Sequence, residues 1–344
     1  MSCSRLASIS AAIVLATSAL TGPLCTVADA QSGLVVGSGN FFSPIVGNLD
    51  KAIAFYRDAI GLDITGTPAN AEQNAPIRNM FGLPDAALRW TVARPPQGAG
   101  RGGVEIVEIS KAEGKPLARR PQDPGAFTLI VLVRDANAAY AKAKAAGASF
   151  VTAGTAPLTV GRAKAFVVKD PDGHFIEIAE LNPLPETTAA ADANVIGVRV
   201  RLTVDDAAKA MRQYQDLGLS GTMNVIAESN EGLMKMFGLK ADAKFRLAQL
   251  DFPATGLKLE LIEFSGVDRR TVRGNLQDPG STRMQVQVRD VPAAIDVLKA
   301  AGGVVQSTGG ATVDLPGRGG AVTKTAIVRD PNNLFLVLIQ AASR

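Results

Sequence analysis

Apolar residues recur along the chain with two alternating periods. In NLDKAIAFYRDAIGL (Asn48 to Leu62), Ile53, Tyr56 and Ile60 fall at helical spacing behind an asparagine suited to cap the first turn, and Gly61 suits the exit. The run RDANAAYAKAKAAG repeats this design with Asp135 as cap and Gly147 as stop. Two further helices are predicted from Asp205 to Leu217 and from Asp290 to Ala301, the second tolerating Pro292 because it falls in the first turn. β-Rich runs precede and follow each helix. In VEIVEIS (Val104 to Ser110) and LELIEFS (Leu259 to Ser265) the strand period places residues three apart on opposite faces, so only one of Glu105 and Glu108, and one of Glu260 and Glu263, can share a face with its neighbours. The pattern predicts an α+β chain of four βαβββ modules.

The modules are written as a repeat. MFGLPDAALRW (Met80 to Trp90) returns as MFGLKADAKFRL (Met236 to Leu247), VEIVEIS as LELIEFS, and QDPGAFTLIVLVRDANAAYAKAKAAGA (Gln122 to Ala148) as QDPGSTRMQVQVRDVPAAIDVLKAAGG (Gln277 to Gly303). Each half closes on a related phrase, VVKDPDGHFIEIAE (Val167 to Glu180) and AIVRDPNNLFLVLIQ, with Val337 where Glu177 stood. The segment 183–194, rich in Pro, Ala and Thr, reads as a linker between a first domain at 31–182 and a second at 195–344.

Residues 1–30 stand outside this scheme. Arg5, an apolar run from Leu6 to Leu20 and Ala28-Asp29-Ala30 before Gln31 form the pattern of a cleaved secretory signal, too short to span a bilayer. Leu24 before Cys25 disfavours a lipoprotein. The expected location is secreted or periplasmic, with no stable membrane anchor after cleavage. Cys3 and Cys25 both fall in the signal, so the mature chain carries no thiol for disulfides or thiolate chemistry. The formal charge of +4 is scattered, and aromatic residues at 5% are too sparse to line a basic groove, so a nucleic-acid partner is not expected.

In order and duplicated, the phrases LDKAIAFYRDAIGL, VEIVEI, LELIEF and DPDGHFIEI resemble the vicinal oxygen chelate superfamily, which includes glyoxalases, extradiol dioxygenases, epimerases and bleomycin or fosfomycin resistance proteins. The resemblance implies that modules pair into curved sheets around a cup, giving two glyoxalase-like domains. It also implies metal-ligand positions on first and later strands. The first-strand positions align near Phe41 and Thr128, then near Val198 or Arg199 and near Arg283, none of which is the family's histidine. The later positions align with Glu105 and Glu177 in the first half, and with Glu260 and Val337 in the second.

Glu105 and Glu177 are therefore the candidate catalytic residues and candidate metal ligands. Carboxylates without imidazole suit a hard cation better than zinc or ferrous iron, so the cofactor alternatives are a divalent metal ion or none, and a conventional iron dioxygenase is not expected. His174, the single histidine, lies three residues from Glu177 and is predicted to face away from the cup, partly exposed after the Asp170-Pro171-Asp172-Gly173 turn. Tyr56, Tyr140 and Tyr214 read as core residues.

Three functions remain open. One is a lyase or isomerase in which Glu105 and Glu177 converge and one removes a proton beside a substrate carbonyl. Another is a noncatalytic protein that sequesters a small apolar or aromatic molecule. The last is an interaction scaffold. A small molecule is the expected partner, and the loop Arg94 to Gly103 is a hairpin connection and a candidate lid. The sequence leaves the oligomeric state open.

Overall fold

The computed structural model describes residues 33–70, 74–316 and 321–340. The expected export signal and both cysteines lie outside these residues. The four modules form as the periodicity predicts, each opening on a strand: Val35–Ser38 resuming as Ser43–Val46 in the first, then Phe127–Val133, Val195–Thr203 and Thr282–Val288. The module helices follow at once. Leu49–Ala54 continues into a π-helical segment, Phe55–Ile60, that ends at Gly61 with a φ of 90°. Its counterparts are Ala136–Ala145, Ala207–Asp216 and Val291–Ala300. Asn48, Asp135, Asp206 and Asp290 each accept a backbone N–H of the first turn, and the third cap is thus one residue later than the sequence suggested.

Strand alternation gives the acids two different tasks. Glu108, Glu180 and Glu263 point to the helix side, where they accept the N–H groups of Leu49, Ala136 and Ala207 at 2.7, 3.0 and 3.0 Å. A carboxylate there neutralises orphan donors at a positive helix end. Glu105 and Glu260 take the opposite face.

Module pairing does not follow the halves. The third module's opening strand lies antiparallel to that of the second, with Arg201 opposite Thr128, and the nine-stranded sheet is built from these two inner modules. The fourth module's opening strand meets that of the first, with Arg283 opposite Ser43, and the ten-stranded sheet is built from the two outer modules. The expected arrangement, with each half closing its own cup, is thus replaced by an exchanged one. The reason is local: residues 183–194 return the chain from the second module's last strand, Phe175–Leu181, directly alongside that module's first strand.

The two modules of one half meet through their helices and strand ends. Phe42 stacks on Phe127 with ring centroids 5.6 Å apart, and the Tyr56 hydroxyl donates to Asp170 across 3.1 Å. Tyr214 repeats the second contact with Asp330 at 2.6 Å. Burial raises both phenols well above their ordinary value, and the neighbouring aspartates add to it. The tyrosines are core residues, as the sequence suggested, with their hydroxyl groups satisfied by acids.

His174 is also buried, which corrects the expectation of partial exposure. Its Nδ1 stands 2.8 Å from Asp170 and its Nε2 3.0 Å from the Ser281 carbonyl, so one ring links the second module to the fourth. Burial alone would depress its pKa, but Asp170 and the Ser281 carbonyl raise it on balance.

Candidate functional site

Each cup contains an arginine at the floor. In the inner cup Arg201 comes from the third module's opening strand, opposite Glu260 on the adjacent parallel strand. Its Nε and Nη2 donate to one oxygen of Glu260 at 2.9 and 2.7 Å, and its Nη1 donates to Glu177 of the second module. Arg199 adds a more distant interaction with Glu260, at 3.7 Å. Phe237 closes the guanidinium from above, its ring centroid 5.7 Å away. Two carboxylates thus share one buried guanidinium. Burial raises the pKa of Glu177, Arg201 opposes the rise, and Glu260 reinforces it.

In the outer cup the arginine has moved to the other module. Arg283, on the fourth module's opening strand, donates through Nη2 to Glu105 of the first module at 3.0 Å, with its side chain 1% exposed. Phe81 lies over the guanidinium at 4.7 Å. The amide of Asn40 reaches the other Glu105 oxygen at 3.5 Å. Burial lowers the Arg283 pKa, and Glu105 counteracts only part of that effect. At the position corresponding to Glu177 stands Val337.

Above Arg283 and Glu105 the outer cup encloses a cavity of about 190 Å³. Met80, Phe81, Trp90, Val337 and Ile339 give it an apolar wall, and Gln285 stands beside Arg283 at the polar end. The Phe81 side of that wall is held by the MFGL turn, in which Gly82 has a φ of 68° and a Cβ would come within 2.0 Å of the Gln306 carbonyl. Ser307 fixes the same turn by donating to the Met80 carbonyl at 2.7 Å, and Thr152 does so for Met236 in the inner cup at 2.7 Å.

The expected convergence of Glu105 and Glu177 does not occur. They belong to different sheets, because the module carrying Glu105 pairs with the fourth module and the one carrying Glu177 with the third. A chelating role fits neither carboxylate. The positions around the outer floor are Ser43, Glu105, Arg283 and Val337, and around the inner floor Thr128, Glu177, Arg201 and Glu260. In both, a guanidinium lies against the acids that would face a divalent cation, and like charge repels it. Among the described residues no three His, Cys, Asp or Glu side chains converge into a chelating set.

Sequence reasoning missed Arg201, placing the ligand position at Val198 or Arg199. The signal was present in RVRL, where Arg199 and Arg201 share a strand face. Arg283 stands at an aligned first-strand position, where it supplies a cation in place of the family's histidine. The loop between Arg94 and Val104 connects two strands as expected, but Gly98 is tied to the linker by the hydroxyl groups of Thr187 and Thr188 at 3.4 and 3.3 Å. It does not border the cavity.

Residues 40–178 match the family model described as the glyoxalase/bleomycin resistance protein/dioxygenase superfamily. No curated protein matches the chain. Among solved structures, glyoxalase I from Zea mays is similar at 19% identity, covering 88% of this chain and 92% of that one, with a TM-score of 0.56. A putative dioxygenase from Bacillus subtilis subsp. subtilis str. 168 is similar at 12% identity, covering 91% of this chain and 87% of that one, with a TM-score of 0.51. At such identities the likeness is one of fold.

Proposed function

We propose that this chain, a member of the glyoxalase/bleomycin resistance protein/dioxygenase superfamily with the α+β fold of that group, binds a small, largely apolar organic molecule in its outer cup without turning it over. The observation that carries the reading is the Arg283–Glu105 pair at the floor of an apolar cavity of about 190 Å³. An engineered cavity of ~150 Å³ accommodates benzene, so the space suits one ring with a substituent. A concave apolar site with few polar groups is the usual form of a small-molecule pocket.

Binding is favoured over lyase or isomerase chemistry by the state of the acids. A proton transfer shared by Glu105 and Glu177 requires both at one carbon, and they stand in separate sheets. Glu105 alone has both oxygens engaged, by Arg283 and by Asn40. The inner cup has its guanidinium closed between two acids and a phenyl ring, which supports a structural task.

The direct test is a thermal-shift and Trp90 fluorescence titration with single-ring compounds, comparing the wild type with Ile339→Phe, which narrows the cavity and leaves Trp90 without a second tryptophan. Trp90 is the single tryptophan of the chain, so its emission reports on this cavity alone. Saturable changes in the wild type that disappear in the narrowed variant are expected. Equal responses in both proteins would sink the assignment of the site. We further propose that the protein works outside the cytoplasm, on the strength of the pattern at Leu6 to Ala30. Sequencing of the mature N-terminus from a periplasmic or culture fraction should then begin at Gln31.

A further inference from the structure

The two cups differ in one charge, and the difference points to the ligand. In the inner cup all three nitrogens of Arg201 donate to carboxylates, those of Glu260 and Glu177. In the outer cup Arg283 makes one side-chain hydrogen bond among the described residues, to Glu105, and its Nε is buried without a partner. The acid that would supply a second carboxylate is replaced by Val337, which lines the cavity.

The other polar groups present donors. Gln285 lines the cavity, and its amide oxygen already accepts the Asn40 N–H at 2.9 Å, which leaves its NH₂ to face a ligand. The Thr325 hydroxyl is turned to the Leu338 carbonyl at 2.7 Å. Ser43, on the strand position paired with Arg283, has a buried hydroxyl without a partner. A buried donor left unsatisfied is costly, and a charged one more so. The arrangement therefore keeps one anionic acceptor, Glu105, on Arg283 and leaves a second place on the guanidinium open at the base of an apolar slot.

We infer that the ligand of the outer cup is a compact apolar monocarboxylate, its ring or alkyl body against Phe81 and Trp90 and its carboxylate taking the second place on Arg283. The inference rests on the binding role proposed for this cup and specifies its ligand class. A planar carboxylate matches the donor fork of a guanidinium, which a single carbonyl oxygen does not.

The test uses the mature full chain and four probes of matched shape: benzoate and cyclohexanecarboxylate, with benzamide and cyclohexanecarboxamide as neutral partners. Trp90 fluorescence gives the affinities, and thermal shift provides an independent reading. The acids are expected to bind at least tenfold more tightly than their amides. Val337→Glu, which supplies the second carboxylate from the protein itself, is expected to abolish that preference. Amides that bind as well as the acids would overturn the carboxylate while leaving the apolar cup as a binding site. An acid preference that persists unchanged in Val337→Glu would also overturn it, because the anion would then sit elsewhere. If none of the four probes has an effect on the wild type at millimolar concentration, the binding role of the cup falls with it.

Discussion

Glu105 and Arg283 meet at 3.0 Å although 178 residues separate them. Their strands come from the first and fourth modules, so the contact exists only because the outer modules share a sheet. Breaking a buried ion pair from one side leaves the other charge without compensation, which costs more than the pair contributes. Glu105→Gln is expected to destabilise the protein by about 3 kcal/mol, the lower end for a buried pair because the Glu105 side chain is 16% exposed. The double variant Glu105→Gln with Arg283→Met should recover at least half of that loss. Urea denaturation of the wild type, both single variants and the double variant closes the cycle, and additive losses would show that the two charges do not depend on one another.

The inner cup carries a pH dependence of definite sign. Burial raises the folded pKa of Glu177 above the ordinary 4.5, so folding favours its protonated form. The resulting stabilisation is fully present below 4.5 and is lost as pH rises through the folded value. Glu177→Gln retains an acceptor for Arg201 and removes the titration. Its stability relative to the wild type should therefore improve steadily between pH 4 and 7, as measured by urea midpoints. A difference that stays flat with pH would contradict the raised pKa. Arg201→Met, which strands two buried acids, should be more damaging than either change to an acid.

The single histidine gives a direct titration signal. Asp170 and the Ser281 carbonyl engage its two ring nitrogens, and their effect outweighs burial, raising its pKa above 6.5. Stabilisation from His174 is thus present below 6.5 and lost as pH rises through the folded value. The ring proton resonances in a one-dimensional NMR titration should show a midpoint above 6.5. A midpoint below that value would mean that desolvation prevails.

The exchanged pairing makes the halves mutually dependent. A chain cut within the linker, for example after Glu186, should yield two fragments that copurify at equal stoichiometry, because each contributes one module to each sheet. Expressed singly, either half has modules with open edges and is expected to associate with a second copy of itself or to aggregate. Two fragments that each remain monomeric and folded would be incompatible with this topology.

The modules, their helices and the facing of their acids were legible in the sequence because each follows from short-range periodicity. LDKAIAFYRDAIGL carries its own apolar stripe and stop glycine behind the Asn48 cap, and the alternation in VEIVEIS puts Glu105 and Glu108 on opposite faces without help from a neighbour. The choice of sheet partner was not legible. All four modules carry similar opening strands, and backbone hydrogen bonding between strands does not identify which partner is used. That choice separates Glu105 from Glu177. Arg201 escaped notice for a related reason: a search shaped by histidine ligands has no place for a cation already built into the chain. His174 was misjudged because the residue that buries it, Ser281, lies 107 positions further along.

The topology also sets a timetable. The inner cup assembles from neighbours in the chain, with Glu177 and Arg201 24 positions apart and Arg201 and Glu260 59 positions apart. The outer cup waits until the last module has been made. At a synthesis rate of roughly 5–20 residues per second, the 178 residues from Glu105 to Arg283 correspond to roughly 10–35 s during which the first module has no sheet partner. A nascent chain would spend that interval with the apolar wall of its future cavity uncovered, so the interval is a window in which a holding chaperone has something to hold.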